Sequence, residues 1–438
     1  MKKIVISFLS LILGAVLFAG CRSIPPPAGS GIPSGAPSSS PSSSSSSTQS
    51  NLNSVSISMN GSFAASVGDN GTILSAANSA SSNGSVFPSS AWTLISPSPT
   101  QNNLTSVSFD ESGTFDTLAV GDNGTVLENS NNGEGGWVLG SVNSSTNPLV
   151  VTDTGSGCSP NPNGQLSTFT TNLTGAAVLT QNTGEPAVIV GSTISDGSCP
   201  SKGLIAVATS GISSSGNLPF NSFNILDTYG PTNTPIPDVT FNGVSYTQGS
   251  SSVPTAVVVG DNSTILFGTS NLSQGSNWQL DTPPNTSSTL NSVAVSSYNN
   301  NEAVAVGINT SGNSVIFGTN TLQTAPTWQE IPIPSSISQS STLTSVFFIS
   351  SNAAQPTAIA VGQNPPEILE IVSCCSSTSA VTVKNITPSN ITGGLLNLTG
   401  VWAAASGTTQ VVLSSGASGL IIESDTGGTS WNSTPDHQ

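Results

Sequence analysis

A short phrase returns along the chain about every 50 residues, and no other feature restricts the fold as strongly. It reads Leu-x-Ser-Val at Leu52–Val55, Leu104–Val107, Leu290–Val293 and Leu343–Val346, with weaker copies at Leu173–Ala176, Gly243–Tyr246 and Leu398–Val401. Each copy is followed by an apolar run ending at a glycine: Gly68, Gly121, Gly191, Gly260, Gly307 and Gly362, with Ser414 taking that place in the seventh unit. The successive gaps are 53, 70, 69, 47, 55 and 52 residues, so the third unit, about 149–237, is unusually long.

After the glycine comes a tight turn, Asp-Asn-Gly or similar, and a further β-branched run such as Thr72-Ile73-Leu74 or Thr264-Ile265-Leu266. Asn-Gly between apolar runs is a strong hairpin signal, because both residues tolerate positive φ. A fourth segment carries an aromatic: Trp92, Trp137, Trp278, Trp328 and Trp431, with Phe223 in the third unit and Val383 in the sixth. No segment keeps a helical period. Four short strands per unit predict an all-β chain, a β-propeller of seven blades with four antiparallel strands each, over 51–434. A β-solenoid would have shorter, more uniform repeats, and paired sandwiches would not explain the phrase.

The stretch AVGDNGTVLENSNNGEGGW, residues 119–137, resembles a blade of the photosystem II assembly-factor propellers and of the related Asp-box (BNR) repeat proteins. SDTGGTSW, residues 424–431, resembles a degenerate Asp-box with one residue inserted. The likeness is one of repeats, so it implies the fold far more than a function.

Ahead of the repeats lies an address. Lys2 and Lys3, an apolar run from Ile4 to Leu17, and Phe18-Ala19-Gly20 before Cys21 describe an export signal over residues 1–20. The run falls short of the roughly 20 residues that a membrane-spanning helix needs. The end of this segment resembles the lipobox of bacterial lipoproteins, departing from it at Phe18, where that family prefers leucine. The resemblance implies that Cys21 is acylated and becomes the mature N-terminus. Arg22, where an aspartate would retain such proteins at the inner membrane, implies a cell-envelope location at the outer membrane. Residues 21–50 are then a Pro/Ser/Gly tether with no apolar face to bury, expected to be disordered and to span ~30 Å as a coil and ~90 Å when extended.

Charge removes whole classes of function. The chain has 5 basic and 21 acidic residues, and losing Lys2 and Lys3 with the signal takes its formal charge from −16 to −18. Nucleic acid and anionic headgroups are repelled by such a surface. Sialidases of the Asp-box type hold a substrate carboxylate with several arginines, and Arg22, in the tether, is the chain's only arginine. The only histidine is His437, so a Ser or Cys nucleophile inside the repeats lacks its usual base. Asp110, Glu111, Asp116 and Glu128 could in principle hydrolyse a glycoside, but their spacing singles out no pair.

Once Cys21 carries lipid, four cysteines remain in an oxidising compartment. Cys158 and Cys199 flank the long third unit and are candidates to pair; Cys374 and Cys375 either form a vicinal bond or stay reduced. No spacing resembles a metal site, and no cofactor is implied. The turn aspartates Asp69, Asp122 and Asp261 recur at one rim and read as turn-forming residues, as does Asp425. The serial tryptophans read as packing between blades. Trp402 lies outside that series and is the candidate ligand-facing residue.

The reading that follows is a non-enzymatic protein-interaction or assembly scaffold, held to a membrane by lipid and meeting an envelope protein partner. A glycan-binding surface protein or weak glycoside hydrolase using Trp402 is the alternative, and a structural surface coat a further one.

Overall fold

Each repeated phrase becomes the innermost strand of a blade. A computed structural model of the chain describes residues 50–434, apart from Met59, Cys374 and the segments 79–85, 110–116, 130–135, 141–148, 153–167, 180–186, 195–200, 209–222, 248–253, 285–286, 297–300, 323–325, 350–355, 376–380, 390–396 and 407–408. Seven antiparallel blade sheets follow one another, each built from consecutive strands in chain order, and a two-stranded ribbon, Thr228–Tyr229 with Thr234–Pro235, lies between the third and fourth in sequence. Blade 1 is typical: Leu52–Ile57, Phe63–Gly68, Ile73–Ala77 and Trp92–Leu94, from the axis outward. The fold is therefore the seven-bladed, all-β propeller that the repeats predict, and among the described residues there is no α-helix.

The inner strands are Leu52–Ile57, Leu104–Phe109, Thr168–Val178, Phe241–Thr247, Ser288–Val295, Thr342–Phe348 and Leu398–Ser406. Blade faces are covered by neighbouring blades on both sides, so these strands and the second strands beside them are continuous buried runs rather than alternating ones.

The core lies between blades. Trp92, Trp137, Phe223, Trp278, Trp328, Val383 and Trp431 are all buried, as the packing reading requires. In blades 1, 4 and 6 the register puts the bulky residue opposite the third-strand residue that itself faces the position four before the glycine (Ala64–Ala76–Trp92, Ala358–Ile371–Val383).

Two details of the repeat differ from the expectation. In the seventh blade Gly416, not Ser414, is the strand-ending glycine: it faces Leu398 as Gly68 faces Leu52. In the fourth, Phe241 holds the leucine place, opposite Gly260, so the phrase begins two residues before Gly243. The physical reason for glycine is close approach. A Cβ there would lie 1.9–2.3 Å from the carbonyl oxygen preceding the phrase (Asn51 for Gly68, Asn103 for Gly121, Asn397 for Gly416), except at Gly362, where Thr342 O would be 2.8 Å away.

The second residue of every phrase is Asn or Thr, and each inner strand bulges there. The bulge turns that side chain sideways, and it donates to the carbonyl of the next blade's first phrase residue. The series runs Asn53 to Leu104, Thr105 to Leu173, Thr174 to Phe241, Asn242 to Leu290, Asn291 to Leu343, Thr344 to Leu398, and Thr399 back to Leu52, at 2.5–3.1 Å. The phrase serine supplies a second tier: Ser54, Ser106, Ser292 and Ser345 Oγ accept from the backbone N–H of Val107, Ala176, Val346 and Val401. The ring thus closes without a strand shared between first and last blades. At that seam Glu423, buried in blade 7, also accepts from the Val86 N–H at 2.7 Å.

Four strands of alternating direction put the start and end of every blade on one rim, together with the hairpins joining second to third strands. The chain arrives at Leu52 and reaches Thr434, paired with Ile421, on this same rim. The long third unit departs from the pattern here. Its inner strand has 11 residues, and its sheet gains a fifth strand, Val150–Thr152.

Candidate functional site

The turn aspartates are structural, though their partners are not the turn backbone that the sequence suggests. Asp69 accepts from Asn51 and Asn53 Nδ2 at 2.9 and 3.0 Å, Asp122 from Asn103 at 3.1 Å, and Asp261 from Asn242 at 3.0 Å. Each carboxylate pins its hairpin to its own inner strand. The turns themselves have the expected positive φ, 54° at Asn70 and 69° at Gly71. The box-like segment forms the turn before the last strand: Ser424 Oγ accepts from Gly428 N–H, and Trp431 Nε1 donates to Gly428 O.

Trp402 does not face a ligand, which corrects the expectation. It is 2 % exposed and stacks on Phe347, with ring centroids 4.6 Å apart. Both residues directly follow the valine of their phrase, a place held by Ser56, Ser108, Ala177, Ser245 and Ala294 elsewhere. The stacked pair fills space between the inner strands of blades 6 and 7 that small residues leave elsewhere. A sugar platform needs an exposed ring face, so the glycan reading loses its anchor.

Among the glycosidase candidates Glu128 is fully buried in blade 2, while Asp110, Glu111 and Asp116 lie outside the described residues. Two carboxyls are perturbed. Burial pushes Glu367 up to about 7, opposed by the Asn385 amide that donates to Oε1 at 3.0 Å. Burial also raises Asp281, opposed by the Thr282 N–H and the nearby Trp328 indole. The two stand in different blades, Glu367 in the sixth and Asp281 in the fourth, so they do not form an acid–base pair.

Cys375 is a buried thiol whose Sγ donates to the Ala303 carbonyl at 3.2 Å. Cys158, Cys199 and Cys374 lie outside the described residues, as do Cys21 and the tether. Among the described residues no cluster of His, Cys, Asp and Glu could hold a metal ion. Lys384 forms an exposed ion pair with Glu370 at 3.2 Å.

What remains is the blade 3 extension, which no residue of the repeat required. The inner strand begins five residues before Leu173, so Thr168–Asn172 run beyond the rim. On one side the second strand follows it, pairing Thr193 with Thr171, and Ile194 N–H donates to Thr170 O at 2.8 Å. On the other side Val150–Thr152 pairs antiparallel with Thr168–Thr170. That side is the one away from the second strand, and so toward the axis. The sequence singled out this unit by its length alone; the added strand had no signal beyond Val150-Val151 between polar runs.

No family model matches the chain, and no curated protein matches it. Among solved structures it is similar to one described as YCF48 bound to D1 peptide, with 13% identity, a TM-score of 0.49, and 87% of this chain and 95% of that one covered. It is also similar to the structure of U3-55K (9% identity, TM-score 0.47, 83% and 88% covered) and to the RRP9 WD40 repeats (9% identity, TM-score 0.45, 83% and 87% covered). Likenesses this distant transfer neither a ligand nor a partner.

Proposed function

We propose that this chain is a non-enzymatic protein-interaction scaffold, exported, lipidated at Cys21 and tethered to the cell envelope at the outer membrane. One observation carries the interaction reading. Among the seven blades, blade 3 is the one whose described strands include a fifth, paired to its inner strand beyond the rim. Surplus ordered length with no packing task is where recognition commonly sits. The lipobox-like sequence before Cys21 and the tether motivate the address.

Because the chain reaches Leu52 on the rim bearing the extension, a tether rooted there leaves the opposite rim pointing outward. The extension then faces the anchoring membrane across a gap of ~30 Å set by the coil. The test replaces residues 150–170 with a short Gly-Ser loop and compares, by quantitative cross-linking in cells, the proteins joined to each form. Loss of at least one abundant cross-linked partner, with unchanged melting, is expected. An identical set of partners refutes the reading. Cys21→Ser should release the protein from the membrane fraction; retention there refutes the lipid anchor.

A further inference from the structure

The extension ends in an open strand edge. Val150–Thr152 is the terminal strand of its sheet: one edge bonds Thr168–Thr170, and among the described residues nothing pairs with the other. The strand is firmly rooted. Leu149, just before it, is fully buried, donates its N–H to Gly124 O at 2.8 Å, and receives the Thr171 hydroxyl on its carbonyl at 2.9 Å. A row of backbone donors and acceptors is therefore held in place near the axis. Such an edge is a template for another strand.

Charge selects the occupant. All 21 acidic residues lie after residue 50, with only Lys202 and Lys384 opposing them, so this part of the chain carries a formal charge of −19. A second copy would set that charge against its equal, and an acidic segment would be repelled likewise. A segment carrying lysine or arginine is drawn in and then held by main-chain bonds.

We propose that the open edge of Val150–Thr152 takes up an extended, lysine- or arginine-bearing segment of a partner protein as an added β-strand. This rests on the scaffold reading and names the surface and the chemistry of the partner.

The test uses the full mature protein in detergent and three labelled seven-residue peptides, read by fluorescence anisotropy. The first alternates Lys and Val. The second replaces Lys with Glu. The third keeps the Lys-Val sequence but has alternate backbone nitrogens methylated. The first should bind, the second should not, and the third should bind at least ten-fold more weakly. Equal binding of the methylated peptide would overturn the proposal, since charge alone would then explain uptake.

Successive N–H groups of a strand point to opposite edges, so one of Val150→Pro and Val151→Pro should cut binding at least ten-fold without changing the melting temperature. Binding by both variants as by the native chain overturns the proposal. Should both disturb the extension, hydrogen exchange on the native protein decides. Slowing at Val150–Thr152 on adding the first peptide supports the proposal, and slowing only elsewhere overturns it. A photo-cross-linker placed in cells at Thr152, or at Asn60 on the opposite rim, separates the two levels. Adducts at Asn60 alone sink the edge proposal and leave the scaffold standing, whereas adducts at neither sink the scaffold too.

Discussion

Glu367 opens the third strand of blade 6 and is 2 % exposed. Its Oε1 accepts from Asn385 Nδ2, while its Oε2 is buried with no hydrogen-bond partner. Burial therefore disfavours the carboxylate and pushes this group up to about 7, against 4.5 in the unfolded chain. Between those two values the folded protein keeps a proton that the unfolded chain has lost. The stability associated with this proton is fully present below pH 4.5 and is lost as pH rises through 7. Each unit of difference corresponds to about 1.36 kcal/mol, which sets a ceiling of about 3 kcal/mol. The hairpin lies at a rim, where water screens part of the effect, so ~1–2 kcal/mol is the working figure.

Glu367→Gln keeps an acceptor for Asn385 and removes the titration. Urea unfolding followed by tryptophan fluorescence, for both proteins at intervals from pH 5 to 8.5, measures the difference directly. The glutamine variant should gain on the native chain by ~1–2 kcal/mol across that range, and be the more stable of the two at pH 8.5. A difference that stays constant with pH, or a native chain that gains as pH rises, refutes the reasoning. Glu367 would then be solvated or paired despite its burial.

Other substitutions test the packing argument through the same urea measurement. Trp402→Ala should cost ~3–5 kcal/mol because it empties the space shared with Phe347; a near-native midpoint would mean that the ring is not filler. Gly121→Ala should cost ~2–4 kcal/mol, since its Cβ would meet Asn103 O at 2.0 Å. Gly312→Ala has positive φ but no neighbour within 4 Å, and should cost only ~1 kcal/mol; equal costs would refute the close-approach explanation. Thr399→Val leaves the Leu52 and Ser415 carbonyls without its hydroxyl and should cost ~1–3 kcal/mol, with Thr399→Ser restoring most of it. A valine variant as stable as the native chain would show that the blade 7 to blade 1 bond does not hold the ring.

The blade count, the strand order and the burial of the serial tryptophans were legible because each depends on spacing that repeats. The errors fell where one copy drifted. Phe241 in place of leucine moved the fourth phrase by two residues. Ala417-Ser418-Gly419 hid the seventh turn, although Gly416 to Gly419 keeps the Gly-x-x-Gly spacing of Gly68 to Gly71, and Ser418 adopts φ 56° as Asn70 adopts 54°. The Asn or Thr at the second phrase position was visible in all seven copies, yet its meaning was not. It bonds a residue about 50 positions away, and only after a bulge has turned it sideways. Trp402 was misplaced for a related reason. A position on the inner strand reads alike from sequence whether its side chain is exposed or packed, and only Phe347 at the same place in the neighbouring phrase hinted that Trp402 is packed.

The ring and the extension answer to different constraints, and this is what lets one chain carry both. The bonds that enter and leave blade 3, Thr105 to Leu173 and Thr174 to Phe241, match those around the rest of the circle. The third unit therefore keeps the common register from Leu173 to Gly191, and its added strand pairs only with residues before Leu173. Surplus length placed there leaves that register intact, whereas an insertion within Leu173–Gly175 itself would displace the bulge and the ring bonds made by Leu173 and Thr174. A recognition element can thus change in length, charge or partner without loss of the fold. The seven-residue polar circle, by contrast, carries only Asn or Thr at its bulges in this chain, because a side chain there must be short, polar and able to donate to the neighbouring carbonyl.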